Sequence, residues 1–243
     1  MKLVHRLAAL WLAGAAAPAF AGPPYLNNDP APTDTGGWEI YVFSTGEGHG
    51  GDADIDAGVE LNYGPVKDVQ VSATLPLSFS HSSGGDWDSG TGHVELGVKY
   101  RFFNDERSHF SAAFFPKANL PTSTLEHHEK TRFQFPIWLG KDFAGGTTIF
   151  GGGGYNLNPG TGNRDFWQAG VTVTHAVSKK LSFGAEIMQQ GSDSVGATAR
   201  TRAGIGTTLR LSKHYGLLAS AGPVATAERE QPGAGGPAGA RGA

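Results

Sequence analysis

Residues 69–80 read VQVSATLPLSFS. Val69, Val71, Ala73, Leu75, Leu77 and Phe79 alternate with Gln70, Ser72, Thr74, Ser78 and Ser80, which is the two-residue period of a strand with one apolar and one polar face. Its length suits the roughly 9–11 residues that a tilted strand needs to cross a bilayer. The pattern recurs on either side. In 93–103, Val94, Leu96, Val98, Tyr100 and Phe102 oppose His93, Glu95, Lys99 and Arg101. In 55–63, Ile55, Ala57, Val59, Leu61 and Tyr63 oppose Asp56, Glu60 and Asn62. Further strands are predicted near 38–45, 109–119, 131–142, 147–157, 165–177, 181–190, 200–211 and 215–222.

The connections alternate in length. Those at 64–68, 104–108, 144–146, 178–180 and 212–214 are short, whereas 81–91, 121–129, 158–163 and 191–199 are longer and polar. Short turns at one end and longer loops at the other predict an all-β fold, a transmembrane antiparallel up-and-down β-barrel. About eleven strands are visible and twelve are expected, because bacterial barrels have even numbers. Aromatics on the apolar face gather at both strand ends. Trp38, Tyr63, Tyr100, Phe102, Phe110, Phe143 and Tyr215 lie at the short-turn end, and Phe79, Phe133, Tyr155 and Trp167 at the other. Such paired girdles mark the two membrane interfaces; a soluble β-sandwich gives no reason for them. Pro76, Pro116 and Pro136 fall inside strands, where each is expected to mark a bulge because proline donates no ladder bond.

Composition narrows the function. The 243 residues include no cysteine, which excludes a disulfide scaffold, a thiolate zinc site and a cysteine nucleophile. A net charge of −3 gives no basic excess for nucleic acid, so no nucleic-acid partner is expected. At the N-terminus, Lys2, His5 and Arg6 precede the apolar run Leu7–Ala17 and then Ala19-Phe20-Ala21. This is the pattern of a secretory signal peptide, residues 1–21, cleaved between Ala21 and Gly22. Residues 22–37 (GPPYLNNDPAPTDTGG) follow as an extended periplasmic lead-in, and 38–222 as the barrel. Residues 223–243, rich in Gly, Ala and Pro, are expected to be a disordered tail in place of a closing strand. The localisation that follows is the bacterial outer membrane, with membrane lipid, the barrel-assembly machinery and a small-molecule solute as partners.

Several stretches resemble one family. GPPYLNNDPAPTDTGGWEIYVFS (22–44), VELNYGPVKDVQVSATLPLSFS (59–80), GHVELGVKYRFF (92–103) and GGGGYNLNPGTGNRDFWQAG (151–170) are similar to the outer-membrane transporters associated with the meta-cleavage pathway of phenol degradation. The resemblance spans about Gly22 to Gly222. It implies an outer-membrane barrel that moves small aromatic or hydrophobic compounds, and it carries no catalytic motif. Barrels of that family end on a closing strand with a terminal aromatic, which 223–243 lacks.

Alternation places the charges Glu39, Asp56, Glu60, Glu95, Glu186, Lys99, Arg101, Lys117, Arg132, Arg200, Arg202 and Arg210 inside, as a polar pore lining or as a cross-lumen ion-pair network. Tyr41, Phe43, Phe115, Trp138 and Phe166 also point inward, either stacking solutes or filling space. An inward position such as Ser72 or Thr172 should accept a charge that an outward one such as Val171 would not. Gly151–Gly154 lacks the Lys-Ser/Thr and helix of a phosphate loop. The pair His127-His128 supplies too few converging ligands for a metal, and no cofactor is expected. His93 and Glu95 have no serine placed beside them, so no enzyme activity is expected. The reading is a passive channel for small molecules. A structural or adhesive barrel, or a barrel-embedded hydrolase, is the alternative.

Overall fold

The computed structural model describes residues 24–125 and 130–226. These form one antiparallel sheet of fourteen strands: β1 (Trp38–His49), β2 (Asp52–Val66), β3 (Val69–His81), β4 (Trp87–Thr91), β5 (Glu95–Asp105), β6 (Phe110–Phe114), β7 (Lys117–Asn119), β8 (Arg132–Phe143), β9 (Thr147–Leu157), β10 (Phe166–Ala176), β11 (Leu181–Gln190), β12 (Arg200–Arg210), β13 (Gly216–Ala221) and β14 (Val224–Thr226). Three pairs act as single passes. β4 and β5 both pair β3, β6 and β7 both pair β8, and β13 and β14 both pair β12. Each pass therefore neighbours the next, eleven along the sheet.

The sheet is rolled. Glu47 in β1 and Arg202 in β12 stand nine inter-strand steps apart in the sheet order, about 43 Å in a flat sheet at ~4.8 Å per step. Yet Arg202 Nε lies 2.6 Å from Glu47 Oε1. The ladder itself does not close: among the described residues no pairing joins β1 to β13 or β14. The alternation explains why. The first and eleventh passes run in the same direction, so neither offers the other an antiparallel partner.

The two-residue period survives folding. Side chains exposed on the outside include Val42, Val71, Leu96, Val98, Ile137, Leu139, Val171, Ile187 and Ile205. Their neighbours in sequence turn inward, where Lys99, Trp138, Phe150, Thr172, Glu186 and Met188 are buried. Ring pairs sit at both ends of the outer face: Trp38 and Tyr63 at 4.7 Å, Tyr155 and Trp167 at 5.1 Å.

Four local expectations change. The first hairpin is longer than 38–45 and 55–63, because Gly50 and Gly51, both at positive φ, make a two-residue turn that keeps β1 and β2 paired to His49↔Asp52. Residues 87–91, read as loop, continue the β3 ladder as β4. The prolines do not each mark a bulge. Pairing runs unbroken through Pro136↔Gly154 and Gly58↔Pro76. Pro116 interrupts only β6 and β7, and its carbonyl still accepts from Val98 N. The irregularities recorded in the ladders lie instead at Tyr63/Val66 and Arg101/Phe103. Finally, the last pass runs past Gly222 to Thr226. Pro223 loses one rung, but its carbonyl accepts from Ala203 N at 3.1 Å, and Val224–Thr226 pair Arg202–Arg200 in register. That stretch extends the eleventh pass rather than starting a twelfth. The cleavage site at Ala21 and Gly22, the histidines 127–128 and the tail beyond Thr226 lie outside the described residues.

Candidate functional site: the inner face and its strap

Residues 24–37 hold no regular strand beyond the isolated bridge Thr35↔Gly64. They cross the inner face as a strap. Pro24 carbonyl accepts from Ser220 Oγ on β13. Tyr25 packs edge-on against Phe150 of β9, with ring centroids 6.1 Å apart. Glu186 Oε2 of β11 receives Leu26 N at 2.8 Å and Asn27 Nδ2 at 3.0 Å, and the same Nδ2 reaches Thr172 Oγ1 of β10 at 3.1 Å. Ala31 carbonyl accepts from Lys99 Nζ of β5 at 3.2 Å. Thr33 N and Oγ1 both donate to Gln70 Oε1 of β3, at 2.9 and 3.1 Å, and Gly36 N donates to Gly64 O of β2. Asn27, Asp29 and Thr33 are thereby buried, as polar groups can be when partners meet them.

The sheet is cut to fit this segment. Cβ atoms placed on Gly206 and Gly140 would lie 2.6 Å from Tyr25 Cε1 and 2.8 Å from Pro30 Cδ. At Gly184 a Cβ would clash with the Tyr25 hydroxyl, and at Gly170 with the Asn27 carboxamide oxygen. The missing side chains leave a slot that the strap fills. Burial, and then the nearby Glu186 carboxylate, push the Tyr25 hydroxyl up to about 12. Burial likewise raises the Asp29 carboxyl, against the opposing pull of Lys99.

The predicted inward charges resolve into pairs and rims. Lys117 Nζ bonds Glu95 Oε1 at 2.7 Å, Arg101 Nη2 bonds Asp68 Oδ1 at 2.6 Å, and Arg202 bonds Glu47. Lys99 and Lys117 lie 4.9 and 4.7 Å from the centre of the Phe115 ring, a cation–π arrangement on both ammoniums. Glu39 accepts from the Tyr41 hydroxyl, Glu60 from Asn62 Nδ2, and Asp56 from Ser78 Oγ. Arg132 and Arg200 sit half-buried at the long-loop ends of β8 and β12, and Arg210 at the short-turn end of β12. Phe43 and Phe166 are half-buried. Phe115 and Trp138 form a buried cluster with Met188. Trp138, Gly152, Gly170 and Met188 are register neighbours across β8–β11, so the two side chains meet over a glycine floor.

The sequence reading missed the strap's anchors: Tyr25, Asn27, Asp29, Thr33, Gln70 and Thr172. The available signal was glycine on the polar face of β8, β10, β11 and β12, where a pore lining would carry side chains. Among the described residues no group of three His, Cys, Asp or Glu is placed to hold a metal. No family model matches the chain, and no curated protein matches it.

Proposed function

We propose that the chain is an outer-membrane β-barrel channel for passive passage of small molecules, aromatic or hydrophobic compounds among them, as its resemblance to the phenol-pathway transporters implies. One observation carries this reading: the sheet is inside-out. Val42 and Ile205 are 86% and 72% exposed on the outer face, while Lys99 is 2% and Glu186 8% exposed within. Water penalises such a surface, since soluble monomers rarely expose contiguous apolar patches beyond a few hundred Å². A bilayer rewards it, and hydrogen-bonded strands are among the few ways to cross one. The ring pairs at both ends suit the two interfaces.

Solutes would move along the polar inner face, held by contacts weak enough to release them. Reconstitution into liposomes, with swelling followed in a small sugar, an organic anion and a phenol, tests the reading. Swelling above that of empty liposomes is expected; a folded, inserted protein that passes none of the three overturns it. Occupation of the interior by the strap and by Trp138 favours a second reading, a structural barrel without transport, which the same assay separates.

A further inference from the structure

We infer that residues 24–37 are a removable plug, whose departure from the inner face opens the channel. The inference rests on the channel reading above. The strap touches β13, β11, β10, β5, β3 and β2 in turn. Its contacts at Gly64, Gln70 and Gly140 lie toward the short-turn ends of their strands, and those at Thr172, Glu186 and Lys99 lie near mid-strand. It therefore crosses the interior between the short-turn mouth and mid-height.

Three features distinguish a plug from ordinary packing. Hydrogen bonds and small packing contacts hold the strap, and only its bridge to Gly64 at the C-terminal end joins a strand. The upstream end, from Pro24 to Thr33, can leave while β1 stays in the sheet. The slot is built from missing side chains: the three heavy atoms nearest a Cβ on Gly206 belong to Tyr25, and the two nearest to one on Gly140 belong to Pro30. These docking atoms belong to the strap and not to the sheet, and they leave with it. Last, Asn27 Oδ1 and Asp29 Oδ2 are buried with no hydrogen-bond partner. Water would satisfy both on release, which lowers the cost of opening.

Gly206→Ala and Gly140→Ala place methyl groups where Tyr25 and Pro30 dock, and Tyr25→Ala empties the slot from the other side. Gly216→Ala, whose Cβ meets only Leu209 carbonyl at 3.4 Å, is the control. A chain without cysteine permits one reporter thiol, Thr172→Cys, beneath Asn27 at a position with no exposure. Each variant is folded into liposomes, checked by heat-modifiable migration, and read twice: by labelling of the thiol with a small maleimide and by sugar swelling. Eviction should raise both by roughly tenfold, the effect of a ~1.4 kcal/mol overpacking penalty on the docked population. The control should leave both unchanged. Unchanged labelling in variants that fold, Tyr25→Ala included, overturns the plug and leaves the channel reading standing. Labelling that rises without any swelling overturns the channel reading, and the gate with it.

Discussion

Val171 and Thr172 are adjacent in the chain and live in opposite surroundings. Val171 is 42% exposed on the outer face, whereas Thr172 is fully buried under Asn27. Arg at Val171, Val71 or Leu96 should cost about 2–4 kcal/mol in urea titrations of the barrel in bilayers. Arg at Ser78, beside the Asp56 carboxylate, should cost much less. Equal penalties at Ser78 and Val171 would refute the two-faced sheet. Thr172 breaks the simpler expectation that every inward position accepts a charge, because alternation reports which face a residue takes and not what lies on that face. Trp138 makes the same point. It is 2% exposed and packed on Phe115 and Met188, so Trp138→Ala should lower stability by about 3–5 kcal/mol through the cavity it leaves. Urea midpoints measure this, and a loss under about 1 kcal/mol would place the indole in an open lumen.

At the scale of elements, the strands were legible in the sequence and the strap was not. A strand writes its period into every second residue, and the eleven passes follow that period even through Pro76 and Pro136. The strap, LNNDPAPTDT (26–35), has no period and little apolar area. Its polar side chains resemble a solvated linker until their partners on β3, β10 and β11 are known. The glycines that receive it read as weak strand positions for the same reason: a slot is recorded only as an absence. The strap also carries a pH dependence. Burial raises the Asp29 carboxyl, while Lys99 lowers it and Asp142 raises it further. A raised carboxyl favours the docked strap while it is protonated. That contribution is complete below the ordinary carboxylate range and is lost as pH rises through the docked value. Solute passage should therefore climb as pH rises above the ordinary carboxylate range, and Asp29→Asn, which keeps an acceptor for Ala31 N, should flatten the climb. Equal slopes in parent and variant would assign the dependence elsewhere.

For the whole molecule, the open seam is the decisive feature. A strand edge facing lipid leaves backbone groups without partners, at a cost of several kcal/mol for each. Among the described residues β1 and the β13–β14 pass leave two unpaired edges, which would face lipid in the proposed membrane setting. Side-chain clasps stand in for the ladder: Glu47 with Arg202 toward the long loops, and the strap, fixed to Ser220 at one end and continuous with β1 at the other. Both edges belong to passes that run in the same direction, so one added strand can lie antiparallel to both. Replacing the residues after Thr226 with a tight turn and a ten-residue alternating strand ending in Phe should supply it, about the length that crosses a bilayer. The closed form should keep its heat-modified migration to higher temperature and unfold at higher urea than the parent. The clasps should then matter less. Glu47→Gln, which breaks an ion pair with a half-exposed carboxylate, should destabilise the parent modestly and the closed form hardly at all, a coupling that a double-mutant cycle measures directly. If the added strand leaves stability unchanged and Glu47→Gln costs the same in both backgrounds, then the seam is not where the roll is weak.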